Sequence, residues 1–141
     1  MRSRIHPDKD NSICIVVTFN PDSSILDRIK KILDTQLKIL IVDNSTINDS
    51  ITRVEIISKQ LNIPVIRNTI NRGLGAAINQ GVNYSLRHNI EWCIFMDQDT
   101  EIYPAFFSAL QDCFTYVGDD VAIIGSNYID EYAGKIGRAH V

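Results

Sequence analysis

Short apolar runs recur along the chain and are separated by amphipathic stretches. The longest cover residues 13–19, 37–42 and 92–96, and shorter ones cover residues 64–68 and 121–124. Continuous rather than alternating hydrophobicity is typical of strands that are covered on both faces of a sheet. We therefore predict a strand at each run.

The stretches between the runs predict helices. The first has isoleucines at positions 25, 29 and 32, with charged residues on the opposite side. Further helices are predicted over residues 51–61, 73–87 and 104–117, the last opened by a proline. Strands that alternate with helices predict an α/β fold of three layers, α/β/α, around a mainly parallel sheet.

Composition narrows the class of protein. The chain has 141 residues, of which 45% are hydrophobic and 22% are charged, as in one soluble domain. A net charge of −3 gives no electrostatic footprint for nucleic acid. The apolar runs are far shorter than the roughly 20 residues that span a bilayer. Three cysteines without a metal or disulfide spacing suit a reducing cytoplasm, which is where we expect the protein.

We expect one folded domain over residues 12–135 between two short ends. Residues 1–11 begin with basic residues but have no apolar stretch behind them, which indicates a flexible arm rather than a signal peptide. Residues 136–141, when back-translated, read like a common sequencing adapter. We therefore expect a non-native tail there, no function for Arg138 or His140, and a natural chain that continues beyond this point.

Polar side chains follow each of the first four predicted strands. In an open parallel sheet, ligands bind outside the carboxyl ends of the strands, which share one edge. Turn formation alone explains some of these residues but explains less well an Asp or Asn directly after an apolar run. The residues are Thr18, Asn20 and Asp22; Asp43, Asn44 and Ser45; Asn68, Asn71 and Arg72; and Asp97, Gln98 and Asp99.

The triplet Asp97-Gln98-Asp99 predicts a metal site. Two carboxylates this close repel each other, and removing them from water is costly unless a cation is present. Oxygen ligands suit Mg²⁺ or Mn²⁺, which would bridge to phosphate oxygens. A solvated turn is the alternative interpretation, and the preceding apolar strand, residues 92–96, favours the metal.

Residues 71–81 form a glycine-rich segment that runs into a predicted helix. Gly73 and Gly75 would lie at the helix N-terminus, where free N–H groups favour anions, and Arg72 would add positive charge for a pyrophosphate. A tight turn with close packing of the helix on the sheet is an alternative. A dinucleotide fingerprint is a third, but Ile78 occupies its last glycine position.

Four segments in order carry a resemblance to a known family. Together, over about residues 13–126, they resemble family 2 glycosyltransferases of the GT-A fold. The triplet and Thr100 are similar to the bacterial rhamnosyltransferase branch. The segments are Val16-Val17-Thr18-Phe19-Asn20-Pro21, Val42-Asp43-Asn44-Ser45, residues 71–81 and Met96-Asp97-Gln98-Asp99.

The resemblance implies transfer of a sugar from a dTDP- or UDP-sugar to an acceptor hydroxyl. The residues of the triplet suggest rhamnose as that sugar. The acceptor would be a glycan or lipid-linked saccharide of polysaccharide biosynthesis, and full-length relatives allow peripheral membrane association. The residues implied in nucleotide-sugar binding are Thr18, Asn20, Asp43, Asn71, Arg72, Gly73, Gly75, Asn79 and Asp97. Asp97 and Asp99 are the implied metal ligands, and the catalytic base is expected beyond the chain end.

Three other functions stay open at this point. One is a sugar-phosphate nucleotidyltransferase, although residues 20–23 are not the glycine-rich basic loop which that class favours. Another is the dinucleotide-binding enzyme considered above. The last is a nucleotide-binding module without transfer activity, which truncation would produce.

Overall fold

A computed structural model describes residues 6–117, 121–126, 128–130 and 135–137. None of the helices in these residues is both long and apolar enough to cross a membrane. The elements in chain order are β1 (Ser12–Thr18), α1 (Ile25–Asp34), β2 (Lys38–Asp43), α2 (Asn48–Leu61), β3 (Val65–Arg67), α3 (Leu74–Arg87), β4 (Trp92–Asp97), α4 (Phe106–Tyr116), β5 (Tyr128–Asp130) and β6 (Lys135–Gly137).

The first four strands form one parallel sheet in the order β3-β2-β1-β4. Alternate residues of β1 point to opposite faces, as in any strand. Cys14 and Val16 belong to a core with residues of α1, α2 and α4, whereas Ile13 and Ile15 belong to a second core with Ala77 of α3. Helices therefore cover both faces, and the predicted three-layer α/β fold is confirmed.

The predicted fifth strand is wrong. Residues 121–126 form no strand, and Ile123 is 86% exposed. A β-branched run becomes a strand only where a neighbour pairs with it, because β-propensity mainly reflects packing. The chain instead forms an antiparallel pair of β5 with β6, which the sequence did not predict. The expected tail begins inside β6, while residues 138–141, like residues 1–5 of the expected arm, lie outside the described residues.

Gly81 sets how closely α3 approaches the sheet. A Cβ at this position would lie 2.7 Å from Cγ2 and 2.8 Å from Cδ1 of Ile15, which is fully buried. Only a residue without a side chain allows this contact. Close helix–sheet packing therefore accounts for this glycine of the 71–81 segment, and it fixes the height of α3 above β1.

Candidate functional site

The carboxyl ends of the four parallel strands meet along one edge of the sheet. Thr18 pairs with Asp43, Asp43 pairs with Arg67, and Val17 pairs with Asp97. The segments that follow the strands are therefore neighbours, although they are far apart in sequence. The structure brings together the polar strand ends that the sequence predicted.

Asp43 is a fully buried carboxylate with partners on both oxygens. Its Oδ1 accepts hydrogen bonds from the Thr18 hydroxyl at 2.8 Å, the Ser45 N–H at 3.1 Å and the Ser45 hydroxyl at 2.5 Å. Its Oδ2 accepts one from Nη1 of Arg67 at 3.3 Å. Buried charges need such partners. The contacts of Asp43 with Thr18 and Arg67 thus connect the ends of β1, β2 and β3 at the site.

Asn20 joins the loop after β1 to the start of α2. Its backbone has φ 46°, a left-handed conformation that Asn tolerates better than most residues. Its Oδ1 accepts hydrogen bonds from the N–H groups of Thr46 at 2.8 Å and Ile47 at 3.0 Å, and its own N–H donates to Ser45 Oγ at 2.9 Å. Asn20 therefore connects the loop after β1 to the turn that leads into α2.

Three carboxamide side chains connect β2, β3 and α3. Asn68 and Gln80 exchange reciprocal amide hydrogen bonds of 2.9 and 2.8 Å. Asn68 also donates to Asn44 Oδ1 at 2.8 Å, and that oxygen accepts the N–H of Arg72 at 3.3 Å. Asn44 Nδ2 completes the set by donating to the carbonyl of Gly73 at 3.3 Å. These contacts fix the chain that enters α3.

The N-terminus of α3 is open to solvent. Gly73 is its N-cap at φ 80°, a conformation that requires glycine, and its N–H donates to Asn71 Oδ1 at 2.9 Å. No atom lies within 4 Å of a Cβ built on Gly75. The side chains of Arg72 and Asn79 are exposed and make no hydrogen bond or ion pair with any described residue. Free N–H groups, the helix dipole and Arg72 together can attract an anion.

The acidic triplet lies at the other end of the edge. Asp97 ends β4, and the N–H of Thr100 donates to its carbonyl at 3.1 Å, which turns the chain. Gln98 reaches back to β1, where it exchanges two hydrogen bonds with the backbone of Phe19. The carboxylates of Asp97 and Asp99 are exposed and have no hydrogen bond or ion pair within the described part of the chain.

Asp97 and Asp99 are the two carboxylates of the triplet that could hold a divalent cation. Within the described ranges, no three His, Cys, Asp or Glu side chains group as a metal site. A cation at Asp97 and Asp99 would therefore complete its coordination with water and ligand oxygens, as Mg²⁺ commonly does. The nearby Glu101 is engaged elsewhere, because it accepts a hydrogen bond from Lys31 Nζ at 3.0 Å. That hydrogen bond and the Lys31 charge lower the pKa of Glu101.

Besides the Asp43–Arg67 pair, neutral amide side chains connect the loops of this edge, whereas three charged side chains have no partner in the described part of the chain. Five amide side chains bridge the loops, and we refer to them as the carboxamide network. By contrast, the three charged groups Arg72, Asp97 and Asp99 have no side-chain partner among the described residues. The network consists of Asn20, Asn44, Asn68, Gln80 and Gln98.

Sequence reasoning missed two members of this arrangement. Arg67, the partner of Asp43, directly follows the apolar pair of β3, which was the only local signal for it. Gln80 sits inside a helix, where nothing in the local pattern distinguishes it. The role of Gln98 was also missed, because its partner Phe19 lies 79 residues away.

A groove outside this edge contains none of the predicted site residues. It lies between α1 and α2 and has a volume of about 460 Å³. Its lining mixes apolar and polar side chains and contains no group of acidic ligands. It is lined by Ser23, Leu26, Asp49, Thr52, Arg53, Ile56, Ile57 and Gln60.

Comparison with known proteins agrees with this architecture. The model of the family described as "Glycosyl transferase family 2" matches residues 13–140. An uncharacterized protein of Methanocaldococcus jannaschii is 28% identical over 125 residues, which are 88% of this chain and 49% of that protein. The dTDP-rhamnosyl transferase RfbF of Shigella flexneri is 29% identical over 124 residues, which are 85% of this chain and 39% of RfbF. The chain thus spans half or less of these relatives.

Solved structures share the fold at low sequence identity. A mannosyltransferase of Pyrobaculum calidifontis, in complex with GDP-Man and Mn²⁺, superposes with a TM-score of 0.58 at 18% identity, covering 78% of this chain and 33% of that one. TarS of S. aureus, residues 1–349, gives a TM-score of 0.55 at 18% identity, covering 86% of this chain and 40% of that one. These likenesses establish a GT-A-like fold.

Proposed function

Because the chain belongs to glycosyl transferase family 2, we propose that it is the donor-binding part of an enzyme that transfers a sugar from a nucleoside diphosphate to an acceptor hydroxyl. One observation carries this proposal. Asp97 and Asp99 lie on the same sheet edge as the open N-terminus of α3 and Arg72, and none of these three side chains has a partner among the described residues. A metal-bound diphosphate needs both kinds of group.

In this proposal, Asp97 and Asp99 hold Mg²⁺ or Mn²⁺. The bound metal would neutralise the charge that develops on the departing diphosphate. Arg72 and the first N–H groups of α3, including that of Gly75, add positive potential from the other side. The Mn²⁺ in the Pyrobaculum mannosyltransferase complex supports the metal, since that enzyme has the same fold.

The nucleoside would lie over β1 and β2 in the same proposal. Thr18 and Asn20 shape the loop, and Asp43 would face the base through Oδ2, the oxygen with fewer partners in the described residues. Asn71 would hold the turn before α3, as its bond to the Gly73 N–H suggests. Asn79 would contact the donor from α3, where its side chain is exposed and free within the described ranges.

We propose dTDP-rhamnose as the donor on the strength of the Shigella dTDP-rhamnosyl transferase. GDP-mannose, bound by the Pyrobaculum enzyme, is the competing donor. A glycan or lipid-linked saccharide would be the acceptor, and peripheral membrane association stays part of the proposal for the whole protein. A second function, nucleotide binding without transfer, is favoured by one observation: the chain spans half or less of its relatives.

Calorimetry tests the donor site directly. We expect dTDP or UDP to bind more tightly with Mn²⁺ than without it. Asp99→Ala should remove that metal-dependent gain and leave the fold unchanged by circular dichroism. Asp112→Ala, which removes an exposed carboxylate on α4, is the matched control and should bind like the unmodified chain. A folded chain without metal-dependent nucleotide binding would overturn the proposal.

A sugar-transfer assay separates the two candidate functions. If the chain transfers sugar to an acceptor, dTDP-rhamnose should serve better than GDP-mannose. If it only binds nucleotide, calorimetry should still show the metal dependence while no donor is consumed. Preference for GDP over dTDP in competition would reject rhamnose as the sugar and leave the metal site intact.

A further inference from the structure

The side chain of Gln98, the middle residue of the acidic triplet, is hydrogen-bonded, whereas those of Asp97 and Asp99 have no partner within the described ranges. Its Oε1 accepts a hydrogen bond from the N–H of Phe19 at 2.7 Å, and its Nε2 donates to the carbonyl of Phe19 at 3.2 Å. The side chain thus pairs with both backbone polar groups of a single residue, Phe19. It behaves like the backbone of one further residue of an adjoining strand.

The contact between Gln98 and Phe19 lies just beyond the last backbone pair of β1 and β4. Backbone pairing between β1 and β4 extends to Val17 opposite Asp97, and the chain then turns at Thr100. Beyond that last pair, among the described residues, only the side chain of Gln98 connects the triplet to the loop after β1. Asp99 lies inside the turned segment and makes no hydrogen bond or ion pair with a described residue.

We propose that Gln98 is a positioning residue that fixes the carboxylates of Asp97 and Asp99 relative to the β1 loop, and thereby sets the affinity for the divalent metal. This inference rests on the proposed function, because it concerns the same metal site. In this proposal Gln98 itself contacts neither the metal nor the donor. Partners that orient metal ligands typically change metal affinity by about 10- to 100-fold when removed.

The chemistry of the carboxamide explains why this position holds Gln. An amide presents a donor group and an acceptor group side by side, which match the C=O and N–H of one residue in an extended chain. A Glu would lose the donor and would place a third negative charge between Asp97 and Asp99. A Met has similar length and volume without either hydrogen bond, so Gln98→Met removes the contact and keeps the packing.

The matched control is Gln111→Met on α4. The Gln111 side chain also donates to a backbone carbonyl, that of Pro7, at 3.0 Å, and it lies outside the site. Both variants therefore lose side-chain to backbone hydrogen bonding, but only one should affect the triplet. Circular dichroism and thermal unfolding would establish that both are folded under the binding conditions.

Two measurements on the whole chain test the proposal. Calorimetry with Mn²⁺ alone, and with dTDP at fixed Mn²⁺, should show about tenfold weaker metal binding for Gln98→Met and unchanged binding for Gln111→Met. Binding of dTDP without Mn²⁺ should be the same in all three chains. Hydrogen exchange by NMR should show that the Phe19 amide loses protection in Gln98→Met only.

The outcomes are distinct. Equal Mn²⁺ affinity in Gln98→Met and the unmodified chain, with the Phe19 amide deprotected, would overturn this inference and leave the donor site standing. A protected Phe19 amide in Gln98→Met would also overturn it, because the contact would not hold the loop. An unmodified, folded chain that binds no Mn²⁺ would overturn the proposed function and this inference with it.

Discussion

The carboxylate of Asp43 and the guanidinium of Arg67 meet where β2 and β3 end, with Oδ2 and Nη1 3.3 Å apart. The two residues pair in register across the parallel strands. The Asp43 side chain is 1% exposed, whereas that of Arg67 is 32% exposed, so water reaches only one side of the pair. The ion pair therefore ties the third strand to a buried charge beneath the candidate site.

Arg67→Met should lower the free energy of unfolding by about 1–3 kcal/mol, because it leaves a buried carboxylate oxygen without its partner. Urea denaturation measures this change. Lys30→Met, which removes an exposed cation of α1, is the control and should stay within about 0.5 kcal/mol of the unmodified chain. Equal stability of the two variants would mean that water replaces Arg67 at no cost.

Gly81→Ala should destabilise the fold by about 1–3 kcal/mol, since overpacking of a filled core has roughly this cost. The added methyl would lie within 2.8 Å of Ile15 side-chain atoms, so that either Ile15 or α3 must shift. Thermal and urea unfolding test the prediction. A stability gain, as expected for Ala in an unconstrained helix, would show that Ile15 moves aside freely.

Gly75→Ala is expected to act in the opposite direction on stability. Its added methyl meets open space in the first turn of α3, so reduced freedom of the unfolded chain should stabilise by about 0.4–1 kcal/mol. The same methyl should weaken binding of dTDP, if the diphosphate approaches the helix backbone there. Calorimetry on the stabilised variant separates the two effects, and unchanged affinity would place the diphosphate elsewhere.

Gln80→Leu should loosen the entrance to α3. It leaves the amide of Asn68 without its reciprocal partner, so the free energy of unfolding should fall by about 1–2 kcal/mol. Hydrogen exchange should increase at the Arg72 amide, because its N–H donates to Asn44 Oδ1, which also accepts a hydrogen bond from Asn68. Gln60→Leu, an exposed Gln of α2, is the control, and a similar loss in both variants would refute the prediction.

Cys14 provides a test that depends on pH. Burial raises the pKa of its thiol from 9.0 to about 12, so the folded state keeps the thiol protonated where the unfolded chain would ionise. Its contribution to stability is therefore complete below about pH 9 and is lost between pH 9 and 12. Urea denaturation at pH 8 and 10.5 should show a smaller decline for Cys14→Ala than for the unmodified chain.

Cysteine labelling gives an independent check on the same burial. At pH 8, iodoacetamide should modify the exposed Cys113 first and should reach Cys14 only after unfolding. Rapid modification of Cys14 in the folded chain would mean that β1 is not in the core as described.

Hydrophobic pattern predicted much of the fold. Runs such as that of β1 are apolar throughout because both faces are covered, and the stripe at positions 25, 29 and 32 faces the core as expected. The run at residues 121–124 is similarly apolar but forms no strand within the described ranges. Whether such a run forms a strand depends on pairing between distant segments, which the local hydrophobic pattern does not reveal.

The candidate site, like the fold, could be predicted only in part. Asp43 and Asp97 could be identified because parallel strands bring their carboxyl ends to one edge. Which side chains would stay free could not be predicted, since this depends on partners such as Arg67 and Phe19 that only the register brings close. The roles assigned to the individual site residues remain predictions.

The carboxamide network has one further consequence. Amide side chains neither ionise nor attract counterions, so the loops that it joins should keep their arrangement from low to high ionic strength. Any salt dependence of nucleotide binding should then come mainly from the contacts of Arg72, Asp97 and Asp99 with the ligand, because the Asp43–Arg67 pair is largely buried and is screened much less.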